Sequence, residues 1–298
     1  MRSFPECKAC ILGTAGRIVD LCHNDTQAKA VIVTEGGAVF DRHDPQLSPA
    51  ELSHHVFTRV HERLGNHDPF AGEKRNQNAA ALALRGELEA LVANAADPLY
   101  CAVKLSVAGN IIDLGAQQSF DMLEGIQRAL THEFRINDYA AFRARVAQAR
   151  SLLYILDNAG EIVFDAVMLA TLEKLGRFER IEVVVRRKPM LNDVTRADAE
   201  LVGLAGKYPI LDSGSEIFGL PLRHASAEFM ARFLAAELII AKGMANFETL
   251  DDAPRDVFFV LMAKCGPISR HLGVQPKDLI LKHHAPAGNA QTQAGNLS

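Results

Sequence analysis

Short apolar runs that alternate with helix-length segments constrain the fold of this chain most strongly. From residue 151 onward these runs are LLYIL, IEVVV, ELIIA and DVFFVLMA. Runs of this length that are apolar throughout are typical of strands buried on both faces, as in a parallel sheet covered by helices. We therefore predict a doubly wound α/β domain with a mainly parallel sheet over residues 146–285.

The preceding residues show helical periodicity instead. Apolar side chains recur every four positions at Leu52, Val56, Val60 and Leu64, and NQNAAALALRGELEALVANAA has the composition of a second helix. A strand is conceivable only at KAVIVTEG, and GNHDPFAGEKRN predicts a polar loop. We predict a mostly helical domain over residues 1–145 that contributes to a ligand pocket, and a disordered tail over 286–298.

Charge and cysteine content exclude several classes of protein. The chain of 298 residues has 32 basic and 36 acidic side chains, so it lacks the basic excess of a nucleic-acid-binding protein. No apolar run reaches the roughly 18 residues of a membrane span. Five unevenly spaced cysteines and no apparent signal peptide favour the reducing cytoplasm. The oligomeric state does not follow from the sequence.

Ligands of such folds bind beyond the carboxyl ends of the strands, which draws attention to the residues after LLYIL. There Asp157 and Asn158 are followed by Gly160 and Glu161 at the start of a helix. Two oxygen-bearing side chains beside a helix N-terminus suit a hard cation that holds a phosphate. The alternative is that Asp157 and Asn158 merely cap the helix. The apolar surroundings of Asp165 in this helix predict a buried partner for its carboxylate.

A second acidic residue follows the next predicted strand. Asp193 could meet Asp157 across the crevice, although it or Asn192 could instead cap the next helix. The preceding run Arg186-Arg187-Lys188 is interpreted as solvated surface charge.

The third position is the segment KGMANFE. Lys242 at a strand end, followed by Gly243, can present an ammonium and backbone amides to a phosphate, with Asn246 close by. An isolated Lys-Gly pair more often forms an ordinary turn. Three strand ends that together offer Asp/Asn, Asp and Lys favour a cation site with a phosphate clamp.

A further polar pair lies in the helical half, in AGNIIDLG. Asn110 and Asp113 are three residues apart and would share a helix face, so both could reach the site. The alternative is a polar helix end that Gly115 terminates.

Cysteine and histidine pairs give weaker signals. Cys7 and Cys10 could form a redox pair or half of a zinc site, with Cys22 and His23 as further ligands, but thiols of an amphipathic helix are favoured. The pairs His54/His55 and His283/His284 are interpreted as surface or interface histidines, since their spacing matches no ligand pattern.

Taken together, these segments resemble a known family. The motifs are Cys7-Lys8-Ala9-Cys10, Asp68 to Asn78 (DPF..EKR..N), AGNIIDLG, DNAGEIVFD, NDVT and KGMANFE, in this order over about residues 4–283. They are similar to the damage-control phosphatases, also called domain of unknown function 89, and in particular to the prokaryotic subfamily with an amino-terminal cysteine pair. Met244 stands where glutamine is expected in the last motif.

The resemblance implies a metal-dependent phosphatase with a three-layer α/β/α sandwich and an adjoining helical region, acting on small phosphorylated metabolites. It implies Asp157, Asn158 and Asp193 as ligands of a divalent metal and Lys242 as the phosphate-binding lysine, while Glu161 matches only loosely. Oxygen ligands of this kind suit magnesium or manganese and tolerate cobalt or nickel.

Mechanistically, a water molecule is favoured as the nucleophile, with Glu161 or Asp113 as the base. A methyltransferase dependent on adenosyl-methionine is the nearest rival enzyme, although DNAGE has only one glycine. A non-catalytic protein that binds a phosphometabolite or nucleotide is the rival from another class. Metal-dependent phosphate release would distinguish the three hypotheses.

Overall fold

The computed structural model describes residues 1–22, 26–44, 46–109 and 119–286. Seven strands in these ranges form one sheet of order β1-β7-β6-β5-β2-β3-β4. The strands are β1 Phe134–Asn137, β2 Ser151–Ile155, β3 Arg180–Val185, β4 Ile210–Asp212, β5 Leu238–Lys242, β6 Val257–Met262 and β7 Leu279–His284. The pairs from β6 to β4 are parallel, whereas β7 runs antiparallel to β6 and pairs in parallel with β1. The predicted α/β fold with a mainly parallel sheet is therefore confirmed.

Helices account for most of the rest of the described chain. Those before β2 are α1 Pro5–Cys22, α2 Thr26–Arg42, α3 Pro49–Leu64, α4 Ala71–Ala83, α5 Arg85–Ala93, α6 Pro98–Ala108, α7 Ser119–Thr131 and α8 Tyr139–Gln148. Those after β2 are α9 Glu161–Leu175, α10 Arg196–Leu201, α11 Ala227–Ala235, α12 Met244–Leu250 and α13 Gly266–Leu272, with a short 3-10 helix at Leu222–His224. None of the helices searched, all within the described ranges, is long and apolar enough to cross a membrane.

Side-chain alternation along the strands separates the core into two layers. In β2, Leu152 and Tyr154 belong to the cluster on one face, and Leu153 and Ile155 to the cluster on the other. All five residues of this strand are buried, because helices cover both faces of the sheet. This explains why the strands of this half are continuously apolar in sequence.

A third apolar cluster holds the first helices together. It combines side chains of α1, α2 and α3 with Met190 from the connection after β3. Helix α3 contains the predicted apolar repeat; Ser48 and Glu51 form a capping box at its start, and Gly65 ends it at φ 61°. The loop that carries Met190 thus rests on the amino-terminal helices.

Three local predictions differ from the structure. KAVIVTEG lies inside α2, where Ile32 packs in the cluster of the first helices while Val31 is exposed. The alanine-rich helix begins at Ala71, inside the predicted polar loop, and is divided into α4 and α5 at Leu84. Strand β1 precedes residue 145 yet belongs to the main sheet, so the sheet draws on both predicted domains. Residues 287–298 of the predicted tail lie outside the described residues.

Candidate metal and phosphate site

The candidate site lies where the direction of strand succession reverses. From β2 the chain moves outward to β3 and β4, and then returns to β5 on the other side of β2. The connections after β2 and β5 therefore diverge and leave a crevice at the carboxyl edge of the sheet. Asp157 lies just beyond β2, and Gly243 just beyond β5.

Backbone pairing brings Asp193 to Asp157 and Asn158. Asn158 and Asp193 form an isolated antiparallel bridge. Within it, the Val194 amide donates to the Asp157 carbonyl at 2.9 Å, and the Ala159 amide donates to the Asn192 carbonyl at 2.8 Å. The proximity of the three predicted metal ligands is therefore built into the main chain of the two loops.

The capping alternatives for these residues do not hold. Helix α9 starts after Gly160 at φ 76°, without a side-chain cap. The Gly160 amide donates instead to Asn78 Oδ1, at 2.7 Å, in the helical half. This hydrogen bond uses the N–H group that was expected to contact a phosphate. Helix α10 is capped by Thr195 and Asp198, which leaves Asp193 outside the cap.

Close packing defines the position of the Asp157 carboxylate. Gly243 adopts φ +78°, and a Cβ placed there would lie 1.9 Å from Asp157 Oδ2. No side chain fits in that space, so the glycine is needed both for its backbone conformation and for its missing side chain. Gly243 itself lines the cavity, and its amide donates to the Val260 carbonyl at 3.1 Å.

The amide of Asn158 is oriented by two acidic neighbours. Its Nδ2 donates to Asp157 Oδ2 at 2.7 Å and to Glu161 Oε1 at 2.9 Å. Because both donors of this amide are directed to carboxylates, the oxygen is the atom that Asn158 presents as a ligand. Glu161 thus acts on the site through Asn158.

Burial makes the acidic groups costly to ionise. It raises the pKa of Glu161 to about 8 and the pKa of Asp193 to about 7, and it raises the pKa of Asp157 as well. The positive charges of Lys242, Arg186 and Lys264 counteract these shifts only in part. A cation between the carboxylates would remove most of this cost.

Asp193 is held by a buried arginine. Arg186 Nε donates to Asp193 Oδ2 at 2.5 Å, while its two terminal nitrogens donate to the Gly219 carbonyl at 2.6 Å and to Asn246 Oδ1 at 2.9 Å. Arg186 is 8% exposed, which corrects its interpretation as surface charge. Asn246 also donates to the carbonyls of Leu156 and Lys242, so it braces the loops instead of lining the cavity.

Lys242 lies beneath the site, not in the cavity. Its ammonium donates to the Ser106 carbonyl at 2.6 Å and to Asp165 Oδ1 at 2.7 Å, and it lies 3.9 Å from Glu161 Oε2. Burial opposes its charge, but the carboxylates of Asp165 and Glu161 raise the pKa of Lys242 overall. The predicted partner of Asp165 is thus Lys242, together with the Tyr154 hydroxyl at 2.7 Å. Lys242 therefore does not line the cavity in which it was expected to hold phosphate.

A cavity of about 350 Å³ opens above the acidic groups. Besides Asp157, Asn158, Glu161 and Asp193, its walls include side chains that the sequence analysis missed: Arg17, Gln77, Phe218 and Lys264. Lys264 follows the apolar strand β6, so the strand-end rule used for the other loops could have found it. Arg17 and Gln77 come from α1 and α4, and no local pattern marks them. Asn110 and Asp113 lie outside the described residues.

The donor set fits a hard divalent cation. Asp157, Asn158 and Asp193 supply carboxylate and amide oxygens, and Glu161 Oε2 is a buried oxygen with no hydrogen-bond partner in the described structure. In the described ranges no three His, Cys, Asp or Glu residues are grouped as a metal site, so a site with three protein ligands here would include the amide oxygen of Asn158. His23, a candidate zinc ligand beside Cys7, Cys10 and Cys22, lies outside the described residues.

Comparison with known proteins identifies relatives over nearly the whole chain. The model of the damage-control phosphatase ARMT1-like domain matches residues 3–280. A damage-control phosphatase of Pyrococcus horikoshii is 32% identical over 281 residues, which cover 93% of this chain and 96% of the relative. A damage-control phosphatase of Archaeoglobus fulgidus is 30% identical over 289 residues, which cover 95% and 99%.

The fold also matches a solved structure. The crystal structure of a DUF89 family protein from Pyrococcus horikoshii superposes with a TM-score of 0.89 at 28% sequence identity. The match covers 95% of this chain and 99% of that protein. Sequence and fold therefore point to the same family.

Proposed function

Because the chain belongs to the damage-control phosphatase ARMT1-like domain family, we propose that its phosphatase activity resides in the cavity above Asp157, Asn158 and Asp193. The protein is a phosphatase, as its relatives are, and small phosphorylated metabolites are its class of substrate. The observation that supports this location is the convergence of the three predicted ligand residues at the crevice beside β2. Phosphatase chemistry replaces the methyltransferase and sensor hypotheses.

Members of the family require a divalent metal in general. Asp157, Asn158 and Asp193 would hold it here. When bound, the metal neutralises phosphoryl oxygens and lowers the pKa of a coordinated water. Magnesium, manganese, cobalt and nickel all accept such oxygen ligands, and the choice among them is left to experiment.

The residues around the ligands have positioning and electrostatic roles. Arg186 orients Asp193, and Glu161 orients the Asn158 amide. Residues that hydrogen-bond to metal ligands in this way fix the orientation of the ligands and adjust their affinity for the metal. Lys264 lines the cavity, and its charge lowers the pKa of Asp157 and Glu161. We assign Lys264, in place of Lys242, as the side chain that contacts the phosphate oxygens.

The helical half forms the outer wall and is proposed to select the substrate. Arg17 and Gln77 line the cavity from α1 and α4 of the helical half. A substrate whose phosphate lies above Asp157 would place its alcohol portion against these residues. The cavity of about 350 Å³ suits a small metabolite rather than a polymer.

The test is phosphate release from 4-nitrophenyl phosphate and from a panel of phosphorylated metabolites. Activity should disappear with a chelator and return with one of the four divalent ions. Asp157→Ala should abolish it, whereas Asp252→Ala, the same change at an exposed acid, should retain it. Full activity of Asp157→Ala would refute the proposed site.

A further inference from the structure

A second cavity, of about 580 Å³, lies beside α3 and outside the proposed active site. Its walls are His54, Thr58, His61, Glu62 and His67 from the helical half, and Lys188, Pro189, Met190 and Glu216 from the α/β half. We propose that this histidine cavity binds a small uncharged molecule that carries several hydroxyl groups.

Unsatisfied polar atoms are the first observation behind this proposal. His61 is only 6% exposed, and its Nε2 is buried with no hydrogen-bond partner in the described structure. The same holds for Nδ1 of the half-buried His54. Buried polar atoms of a folded protein are nearly always paired, and both histidines line this cavity, so we infer that a ligand bound there supplies the missing hydrogen bonds.

Helical spacing turns these groups to the same side. His54, Thr58 and His61 occur at positions i, i+4 and i+7 of α3, which form one stripe of a helix. The stripe offers two imidazoles with a hydroxyl between them. Such an array suits a ligand with several hydroxyl groups along a short carbon chain or ring.

The charge state of the wall favours an uncharged ligand. Burial lowers the pKa of His54 to about 4 and also lowers the pKa of His61, so both rings are neutral near pH 7. A neutral imidazole has one donor and one acceptor, as does a hydroxyl group. The charged groups at the rim are paired, with Lys188 2.7 Å from Glu216 and Glu62 3.3 Å from Arg59. An anion would therefore find no uncompensated positive charge in this wall.

Size and wall composition agree with this class of ligand. The cavity falls within the range of about 300–1,000 Å³ that is usual for small-molecule sites. Pro189 and the buried Met190 add an apolar surface against which a carbon skeleton can pack.

The histidine cavity shares two segments with the proposed active site. In the first segment, Met190 lines the histidine cavity and Leu191 lines the proposed active site. In the second, Glu216 lines the histidine cavity and Phe218 lines the proposed active site. Leu191 adopts φ 51°, a conformation that residues with a side chain rarely adopt. The segment thus connects the histidine cavity directly to Asp193. Any effect of the ligand on phosphatase activity rests on the proposed function, whereas binding itself does not.

The test follows the histidine side-chain signals by NMR in the metal-loaded protein during titration with sorbitol and with D-ribose. Gluconate, which is sorbitol-like but anionic, is the matched probe. We expect saturable shifts of the His54 and His61 signals with sorbitol or ribose, and at least tenfold weaker binding of gluconate. Absence of saturable shifts with both uncharged probes, or equal binding of gluconate, would overturn the proposal.

Two variants locate the binding. His61→Phe and the milder Thr58→Val should each weaken the response of the remaining histidine signals tenfold or more, while His132→Gln at an exposed position should not. Unchanged binding in Thr58→Val and His61→Phe would also overturn the proposal. Asp157→Ala should lose phosphatase activity and retain the shifts, so the failure of either proposal is visible without the other.

Discussion

Two groups of buried charges meet at Glu161 and differ in how they are compensated. The closed cluster consists of Tyr154, Asp165 and Lys242, where a lysine and a carboxylate lie 2.7 Å apart with no exposed surface. The open cluster consists of Asp157, Asn158 and Asp193, which line the cavity. The closed cluster is neutralised within the protein, whereas the open cluster has buried carboxylates in excess. The comparison teaches that an uncompensated buried charge facing a cavity, rather than a buried charge as such, marks the proposed site.

The largest effect is expected from a substitution in the open cluster. Asp157→Asn should lower phosphatase activity by about 10³-fold, the order of loss expected when a group that stabilises charge at the reacting centre is removed. Its free energy of unfolding should stay the same or rise, because a buried charge is removed. Urea denaturation and phosphate release, measured on the same preparation, check both parts. A large decrease in the free energy of unfolding would mean that the Asp157 charge is compensated within the protein, as in the closed cluster.

The two lysines provide the matching experiment. Lys242→Met leaves Asp165 buried without its cation and should reduce the free energy of unfolding by about 3–5 kcal/mol. Lys264→Met should reduce it by less than about 1 kcal/mol, as is usual for substitutions outside the core, while activity falls about 100-fold. Denaturant titrations of the two variants test the expected difference in stability, and phosphate release by Lys264→Met tests the expected loss of activity. The assignment of the phosphate contact would be wrong if Lys264→Met kept full activity.

Gly243→Ala tests the contact that positions Asp157. The added methyl group collides with the carboxylate, so activity should fall by about tenfold or more, the range seen when the support of a metal ligand is disturbed. Gly203→Ala is the matched control, since Gly203 has φ +82° but no atom within 4 Å of an added Cβ. Both variants should lose about 1–2 kcal/mol of stability from the backbone conformation alone. Equal activity in the two would show that the contact does not matter.

The smallest effect concerns Glu248, a buried acid outside both clusters. Burial raises the pKa of Glu248 to about 8, so the folded protein holds a proton that the unfolded chain releases above its ordinary pKa. Below the unfolded pKa both states hold the proton, and the free energy of unfolding is highest there. It falls as the pH rises, until the folded protein also loses the proton at about pH 8. Glu248→Gln should remove this slope and gain about 1–2 kcal/mol on wild type between pH 6 and 8. Thermal unfolding across that range tests it, with Glu228→Gln as the exposed control; parallel curves would contradict the raised pKa.

Much of the fold and part of the site could be predicted from the sequence. The continuously apolar strands gave the covered parallel sheet, and the polar residues after them gave Asp157, Asn158 and Asp193. The same rule failed to decide where Lys242 points. Along β5, Leu238 and Ile240 face the layer that contains α9, and alternation places Lys242 on that face, next to Asp165. Its long side chain therefore runs beneath the crevice.

The sequence by itself determined which segments are strands, because burial on both faces demands apolar residues throughout each strand. It also determined which residues follow those strands, and hence the chemistry available at one edge of the sheet. Only the tertiary structure decided which charges compensate one another and which face a cavity. That outcome depends on contacts such as Arg186 with Asp193 and Asn78 with Gly160, which join residues from separate loops and helices and leave no local pattern in the chain.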